Sequence, residues 1–136
     1  ANGIAASGVI AVLVGVLVTG AGPHSGDAQS VRNGLDLEIW QHFHSYPAYL
    51  MITLVIMQLG LLMRRDGKFA GSFQSKVLIG LLAVSVYQAV IGVAQARMGV
   101  PPLLVGLHML GAASLCSLLT FQWLVVRGKP SVSADV

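Results

Sequence analysis

The sequence predicts an all-α membrane protein, a transmembrane four-helix bundle whose helices run up and down across the bilayer. Of its 136 residues, 55% are hydrophobic and 10% are charged, and the mean hydropathy is +0.78. A soluble domain carries about 25% charged residues, so this chain has too few for a surface exposed to water. The charged residues are also clustered, which leaves the long uncharged stretches typical of a multi-pass membrane protein.

Four apolar stretches are predicted to form the helices of a single transmembrane domain that covers residues 1–136. A bilayer core requires about 20 apolar residues per helix. The predicted spans are 4–19, 39–63, 77–96 and 103–126. A tight turn, Met98–Pro102, joins the third span to the fourth. Because the chain lacks an initiator Met and opens almost directly into an apolar helix, we expect it to be a piece of a longer protein.

The distribution of Lys and Arg predicts the orientation of the spans. Six basic residues fall on one side of the predicted membrane: Arg64, Arg65, Lys68, Lys76, Arg127 and Lys129. Only Arg32 and Arg97 fall on the other side. The positive-inside rule then puts the 64–76 link and the C-terminus in the cytoplasm, and the 20–38 loop outside a plasma or inner membrane. Lipid headgroups and orientation account for the net charge of +3, so no nucleic-acid partner is expected.

Two histidines, His44 and His108, lie inside otherwise apolar predicted helices. An ionisable side chain at membrane depth is costly and indicates a functional site. His44 follows Glu38 by six residues and His108 follows Pro102 by six. Both therefore lie about 9 Å below the outer ends of their helices. Alternate helices of an up-and-down bundle tend to lie diagonally, so the two imidazoles are predicted to face each other across its axis.

This pair fits a heme iron better than a bare metal ion. Neutral imidazole binds heme iron, zinc, copper or nickel. No carboxylate or thiol is predicted at the same depth, and the only cysteine, Cys116, is expected to have a packing role. A porphyrin supplies four nitrogens and needs two axial ligands, so His44 and His108 are predicted to be the metal ligands. The alternative is two unrelated buried histidines, bonded to the backbone or to each other.

Other residues are predicted to surround the cofactor. Gly111 and Ala112 lie one helical turn after the second histidine and leave a nearly bare face for a flat ligand. Gln88 belongs to a polar face of the third span, which either lines the cofactor or joins helices by hydrogen bonds. Gln41, three residues before the first histidine, is predicted to orient that histidine or the macrocycle.

The remaining candidates lie toward the outer side. Arg97 is predicted to pair with the heme propionates, and His24 is predicted to contact the propionates or an approaching substrate. The alternatives are an interfacial anchor for Arg97 and a turn-forming role for His24. His42 is two residues from His44 and points about 200° away around the helix, so only one of them can face the axis. His44 is preferred because its neighbours at helical spacing are small, and His42 is expected toward the interface.

Several segments resemble the second half of heme A synthases. They are Gly-Val-Leu-Val-Thr-Gly-Ala-Gly-Pro-His-Ser-Gly-Asp at 15–27, Tyr-Gln-Ala-Val-Ile-Gly-Val-Ala-Gln at 87–95, and Leu-His-Met-Leu at 107–110, preceded by Pro102. The resemblance extends over nearly the whole chain. The combination of the Gly-Pro-His-Ser-Gly-Asp element with two spaced helical histidines is the most specific part of it.

This resemblance implies an eight-helix architecture made of two similar halves related by a pseudo-twofold axis. The chain resembles the C-terminal half, which in this family holds a heme b between two histidines that match His44 and His108. The N-terminal catalytic half, in which a methyl group of heme O is oxidised to the formyl of heme A, is then missing. The family's glutamate three residues before the first histidine is matched here by Gln41. An amide can only hydrogen-bond, which implies a bound electron-transfer cofactor here rather than the reacting heme.

Three functions are compatible with these observations. The first is the heme b domain of a heme O-oxidising membrane oxidoreductase in cytochrome oxidase biogenesis. This chain alone would then not be catalytic. Its partners would be the N-terminal half, heme O and heme A, and heme O synthase or cytochrome oxidase assembly. The second is a stand-alone bis-histidine membrane cytochrome that exchanges electrons with quinol, and the third is a respiratory helical bundle without a cofactor.

Overall fold

The computed structural model describes residues 2–23, 31–67 and 72–128, and most of them are helical. The four helices are α1 Asn2–Ala21, α2 Leu37–Asp66, α3 Phe73–Arg97 and α4 Pro102–Arg127. Each is long and apolar enough to cross a membrane, and the described ranges contain no strand. The predicted all-α fold with four spans is therefore confirmed. The helices extend beyond the predicted spans because polar residues continue and cap them.

Local chemistry fixes the helix ends. The Asp36 carboxylate caps α2 by accepting a hydrogen bond from the Ile39 N–H at 2.9 Å. Gly67 ends α2 with φ 65°, a left-handed conformation that favours glycine. Val100 has φ 59°, which is rare for a β-branched residue and reverses the chain before α4. Pro102 begins α4, where a missing N–H costs nothing, so the predicted turn ends one residue earlier than expected.

The helices form a closed bundle in which sequence neighbours pack side by side. Contacts are most extensive between α1 and α2 and between α3 and α4, and they are smaller between α2 and α3 and between α1 and α4. In the described part of the chain, no close backbone contact joins α1 to α3 or α2 to α4. The two helices that carry the histidines are therefore diagonal partners, as the up-and-down arrangement requires.

The outer surface of the bundle is apolar. Leu13, Leu50, Val90 and Leu110, one from each helix, all lie more than half exposed. Exposed apolar surface of this extent marks contact with an apolar medium rather than with water. The chain is thus a multi-pass membrane protein with its four helices in lipid.

The apolar core is confined to one half of the bundle. Its buried members are Ile4, Met51, Val55, Leu59, Leu78, Leu81, Leu115 and Leu119. We call this part, which ends at the basic residues of α2 and α4, the core half. The histidine half comprises residues 12–21, 37–50, 86–97 and 102–113. Among these residues, no Leu, Ile, Val or Met side chain is fully buried. Packing therefore holds one half of the bundle, and the other half contains the candidate site.

Leu81→Ala is expected to lower the free energy of unfolding by about 2 kcal/mol, since Leu81 is 0% exposed and its removal leaves a cavity. The effect lies at the low end for such substitutions because lipid is as apolar as leucine, so only packing is lost. Leu110→Ala is the control, because Leu110 is 65% exposed and lipid chains can fill the space. Denaturation followed by circular dichroism in detergent measures both. Equal losses at the two positions would contradict the core described here.

Candidate functional site

His44 of α2 and His108 of α4 meet inside the histidine half. Their ring centroids are 6.2 Å apart and the ring planes are inclined by 73°. Both side chains are half-buried. The two residues lie at the same depth on diagonal helices, so their rings approach each other across the interior of the bundle. At this separation the rings form no hydrogen bond to each other.

His44 is tethered to the neighbouring helix. Its Nδ1 lies 2.9 Å from the backbone oxygen of Ala11. A carbonyl oxygen only accepts, so Nδ1 carries the hydrogen and donates it, and Nε2 keeps a free lone pair. Gly15 makes this approach possible, because a Cβ there would lie 2.9 Å from Cε1 of the His44 ring. Metal-binding histidines are commonly held in this way, with one nitrogen bonded to a carbonyl and the other facing the metal.

His108 has an equivalent glycine on its own neighbouring helix. A Cβ on Gly92 of α3 would lie 3.3 Å from Cε1 of the His108 ring. The hairpins α1–α2 and α3–α4 thus repeat one arrangement, in which a glycine on the first helix faces a histidine on the second. His108 differs in one respect, because its Nδ1 is buried and has no hydrogen-bond partner. A buried unpaired nitrogen is costly, and no described carbonyl fixes the tautomer of His108 as the Ala11 carbonyl does for His44.

Two glutamines of α3 add further unpaired oxygens to the same half. Gln88 Oε1 and Gln95 Oε1 are both buried without a hydrogen-bond partner. They lie seven residues apart on α3, which places them on one face of that helix. Outside the histidine half, the only other buried side chain with unpaired atoms in the described residues is Gln122. Three of the five unpaired buried atoms of the described residues therefore lie in the histidine half, and the other two belong to Gln122.

The expected open face at Gly111 is occupied by side chains of α3. A Cβ on Gly111 would lie 2.8 Å from Cε1 of Tyr87 and even closer to Gln88 Oε1. The Tyr87 hydroxyl donates a hydrogen bond to the Leu107 carbonyl at 3.2 Å, which holds α3 against α4 here. Gly111 is thus a point of close helix contact, and the prediction that it leaves space for a flat ligand is corrected. Ala112 beside it is half-buried.

The other predicted site residues lie at the edge of this half. Gln41 is half-buried and makes no side-chain hydrogen bond to another described residue. Arg97 is exposed in the last turn of α3, at the end where the histidines lie. His42 is exposed and His44 is the one that reaches His108. His24 lies outside the described residues.

Among the described residues, no further metal-binding side chain joins the two histidines to form a larger cluster. In the described ranges, no group of three or more His, Cys, Asp or Glu side chains lies together. A bare zinc ion in a structural site takes four protein ligands. Within the part of the chain that the structure describes, the histidine pair therefore does not offer the donor set of such a zinc site.

Sequence reasoning did not assign Gly15, Gly92 and Tyr87 to this site. Gly15 and Gly92 each lie at helical spacing from other small or polar residues of their own helices. The sequence alone does not reveal which side chain of a neighbouring helix each glycine faces. Comparison of the chain with protein-family models, with curated proteins and with solved structures finds no match.

Proposed function

We propose that the chain binds one heme b between His44 and His108 and transfers electrons within the membrane. The observation that carries this proposal is the pair of facing imidazoles on diagonal helices, 6.2 Å apart between ring centres. A metal–imidazole bond is about 2.0–2.1 Å long and the nitrogen lies about 1.1 Å from its ring centre, so in-line ligation by two rings requires about 6.3 Å. The observed separation agrees with this requirement.

The inclination of the rings is also compatible with two-sided ligation. In such a complex each ring plane contains the line that joins its nitrogen to the metal. The rings can turn independently about that line, so an angle of 73° between their planes is allowed. The free lone pair on His44 Nε2 supplies a candidate donor on one side, and the facing His108 imidazole supplies one on the other.

The protein's own residues would set the properties of the bound group, which supplies one-electron redox chemistry. The Ala11 carbonyl fixes the tautomer and orientation of His44 and makes its ring more basic. Gln88 and Gln95 offer amide groups inside the same half. The surrounding lipid and apolar side chains keep the local dielectric low, which favours burial of a large apolar ring system.

The heme b domain of a heme A synthase is the specific role we propose, because segments that resemble this family, at 15–27, 87–95 and 107–110, are spread along most of the chain. In that role the chain passes electrons to a companion N-terminal half, where heme O is oxidised to heme A. Gln41, in the position of the family's glutamate, supports electron transfer rather than oxidation here. The proposed location is a plasma or inner membrane with the 64–76 link in the cytoplasm, following the distribution of Lys and Arg.

A stand-alone membrane cytochrome is the second candidate. It is supported by the fact that both proposed ligands, and the glycines that face them, come from this one four-helix unit. The length of the full gene product distinguishes the two. A second four-helix unit with its own histidines supports the synthase, and a gene product with this unit alone supports the cytochrome.

The absorption spectrum of the purified protein tests the proposal directly. We expect a reduced-minus-oxidised spectrum with the sharp bands of a six-coordinate heme, and one heme per chain, because the chain offers one pair of facing histidines. Expression with added heme precursor and purification in mild detergent provide the sample. A purified, folded protein that contains no heme after reconstitution with hemin would overturn the proposal.

A further inference from the structure

A groove on the lipid-facing surface of the bundle lies between α1 and α4, mostly alongside the core half. Its volume is about 460 Å³, within the range of about 300–1,000 Å³ that small-molecule sites occupy. Val9 and Leu13 of α1 form one wall, and Leu119 and Trp123 of α4 form the other. The α1–α4 interface is the least extensive between neighbouring helices, which leaves this space open. In a membrane-spanning bundle the occupant of such a groove has to be apolar.

The positively charged side chain of Arg127 lies at one end of the groove, beside the lining residue Trp123. The guanidinium carbon of Arg127 lies 4.0 Å from the ring centroid of Trp123, one helical turn away on α4. This cation–π contact holds the charge at the end of the groove. Arg127 is exposed and forms no ion pair within the described part of the chain. Its guanidinium therefore retains donors in the planar arrangement that binds phosphate.

The charge at this end of the bundle is positive. The cations there whose side chains the structure describes are Arg64, Arg65, Lys76 and Arg127. The acidic side chains that it describes, Asp36 and Glu38, lie at the opposite end, next to the start of α2. An anionic headgroup would thus meet a favourable potential at the mouth of the groove.

We propose that this groove is a binding site for an anionic phospholipid. One acyl chain lies along Val9, Leu13 and Leu119, and Arg127 binds the phosphate of the headgroup beside Trp123. Six of the eight residues that line the groove lie in the core half and neither His44 nor His108 is among the eight, so the site does not depend on the proposed function. A lipid bound here would fill the weakest interface of the bundle and hold α1 against α4.

Quenching of Trp123 fluorescence tests this site. The chain has two tryptophans, so Trp40→Phe leaves Trp123 as the only one. The protein is placed in two kinds of phosphatidylcholine vesicle. One contains a small fraction of brominated phosphatidylglycerol, and the other contains the same fraction of brominated phosphatidylcholine. Each signal is divided by that in unbrominated vesicles of the same headgroups, which removes quenching by heme. We expect about fivefold stronger apparent binding of the brominated anionic lipid, the enrichment that one Arg–headgroup contact provides.

Two substitutions locate the effect. Arg127→Gln is expected to remove the preference for the anionic lipid. Arg64→Gln, which removes the same charge from the same end of the diagonal helix α2, is expected to retain it. Equal quenching by the two brominated lipids would overturn the proposal. An equal loss with Arg127→Gln and Arg64→Gln would also overturn it, because general surface charge rather than a site would then attract the lipid. Circular dichroism of each variant verifies that the bundle is folded.

Discussion

His44→Ala and His108→Ala are each expected to abolish the six-coordinate heme spectrum of the purified protein. Each substitution removes one of the two nitrogens proposed to bind the iron, and a single axial histidine leaves a more weakly held heme with a different spectrum. The loss of affinity should exceed the 10–100-fold that typically follows removal of a hydrogen bond that only orients a ligand. Heme content per chain and the reduced-minus-oxidised spectrum are the measurements.

His42→Ala provides the matched control for these two variants. It removes an imidazole from the same helix, two residues away, but its side chain is exposed and does not face His108. Its spectrum should therefore match that of the unmodified protein. If His42→Ala loses heme and His44→Ala retains it, the pairing proposed here is wrong. Because bound ligand stabilises the folded state, thermal stability should fall for the two ligand variants in the presence of heme and much less in its absence.

Gly15→Ala is expected to weaken heme binding about 10–100-fold, the usual cost of disturbing a group that orients a metal ligand. The new Cβ would lie 2.9 Å from Cε1 and 3.2 Å from Nδ1 of His44, so the ring must move away from the Ala11 carbonyl. Gly92→Ala is expected to have a smaller effect, since its Cβ would lie 3.3 Å from the His108 ring. Hemin titration of the apoprotein measures these affinities.

Gly106→Ala is the matched control for the glycine variants. Gly106 lies in the same half, on the helix that carries His108, and an added Cβ there has no atom within 4 Å. Its heme affinity should be unchanged, and its helix should gain slightly in stability because alanine favours helix over glycine by about 1 kcal/mol. The predicted order of effect is Gly15, then Gly92, then Gly106. Equal effects at all three positions would mean that these glycines serve only helix packing.

The position of the histidine pair could be predicted from the sequence because it depends on few quantities. Helical rise sets the depth of His44 and His108, and an up-and-down connection sets which helices are diagonal. Both quantities follow from counting residues between polar links. The structure accordingly brings the two rings within 6.2 Å of each other.

The residues that contact the histidines could not be predicted in the same way. Gly15 and Gly92 face the rings only because of the rotation and vertical register of neighbouring helices, which depend on packing along their whole length. Gly111 is a second residue whose surroundings could not be predicted from the sequence. The sequence indicates a bare surface there, but the hydrogen bond from Tyr87 to Leu107 draws α3 over it. Local patterns therefore place a residue on its helix, and tertiary contacts decide what lies against it.

The confinement of buried leucines to one half of the bundle has a consequence for biogenesis. The buried side chains of the core half pack against one another without involving His44 or His108. If the chain binds heme as proposed, we therefore expect the newly inserted polypeptide to adopt its topology first and to take up the heme afterwards, through the more polar end. Maturation would then be sequential, with cofactor delivery as a separate, late event open to control by the cell.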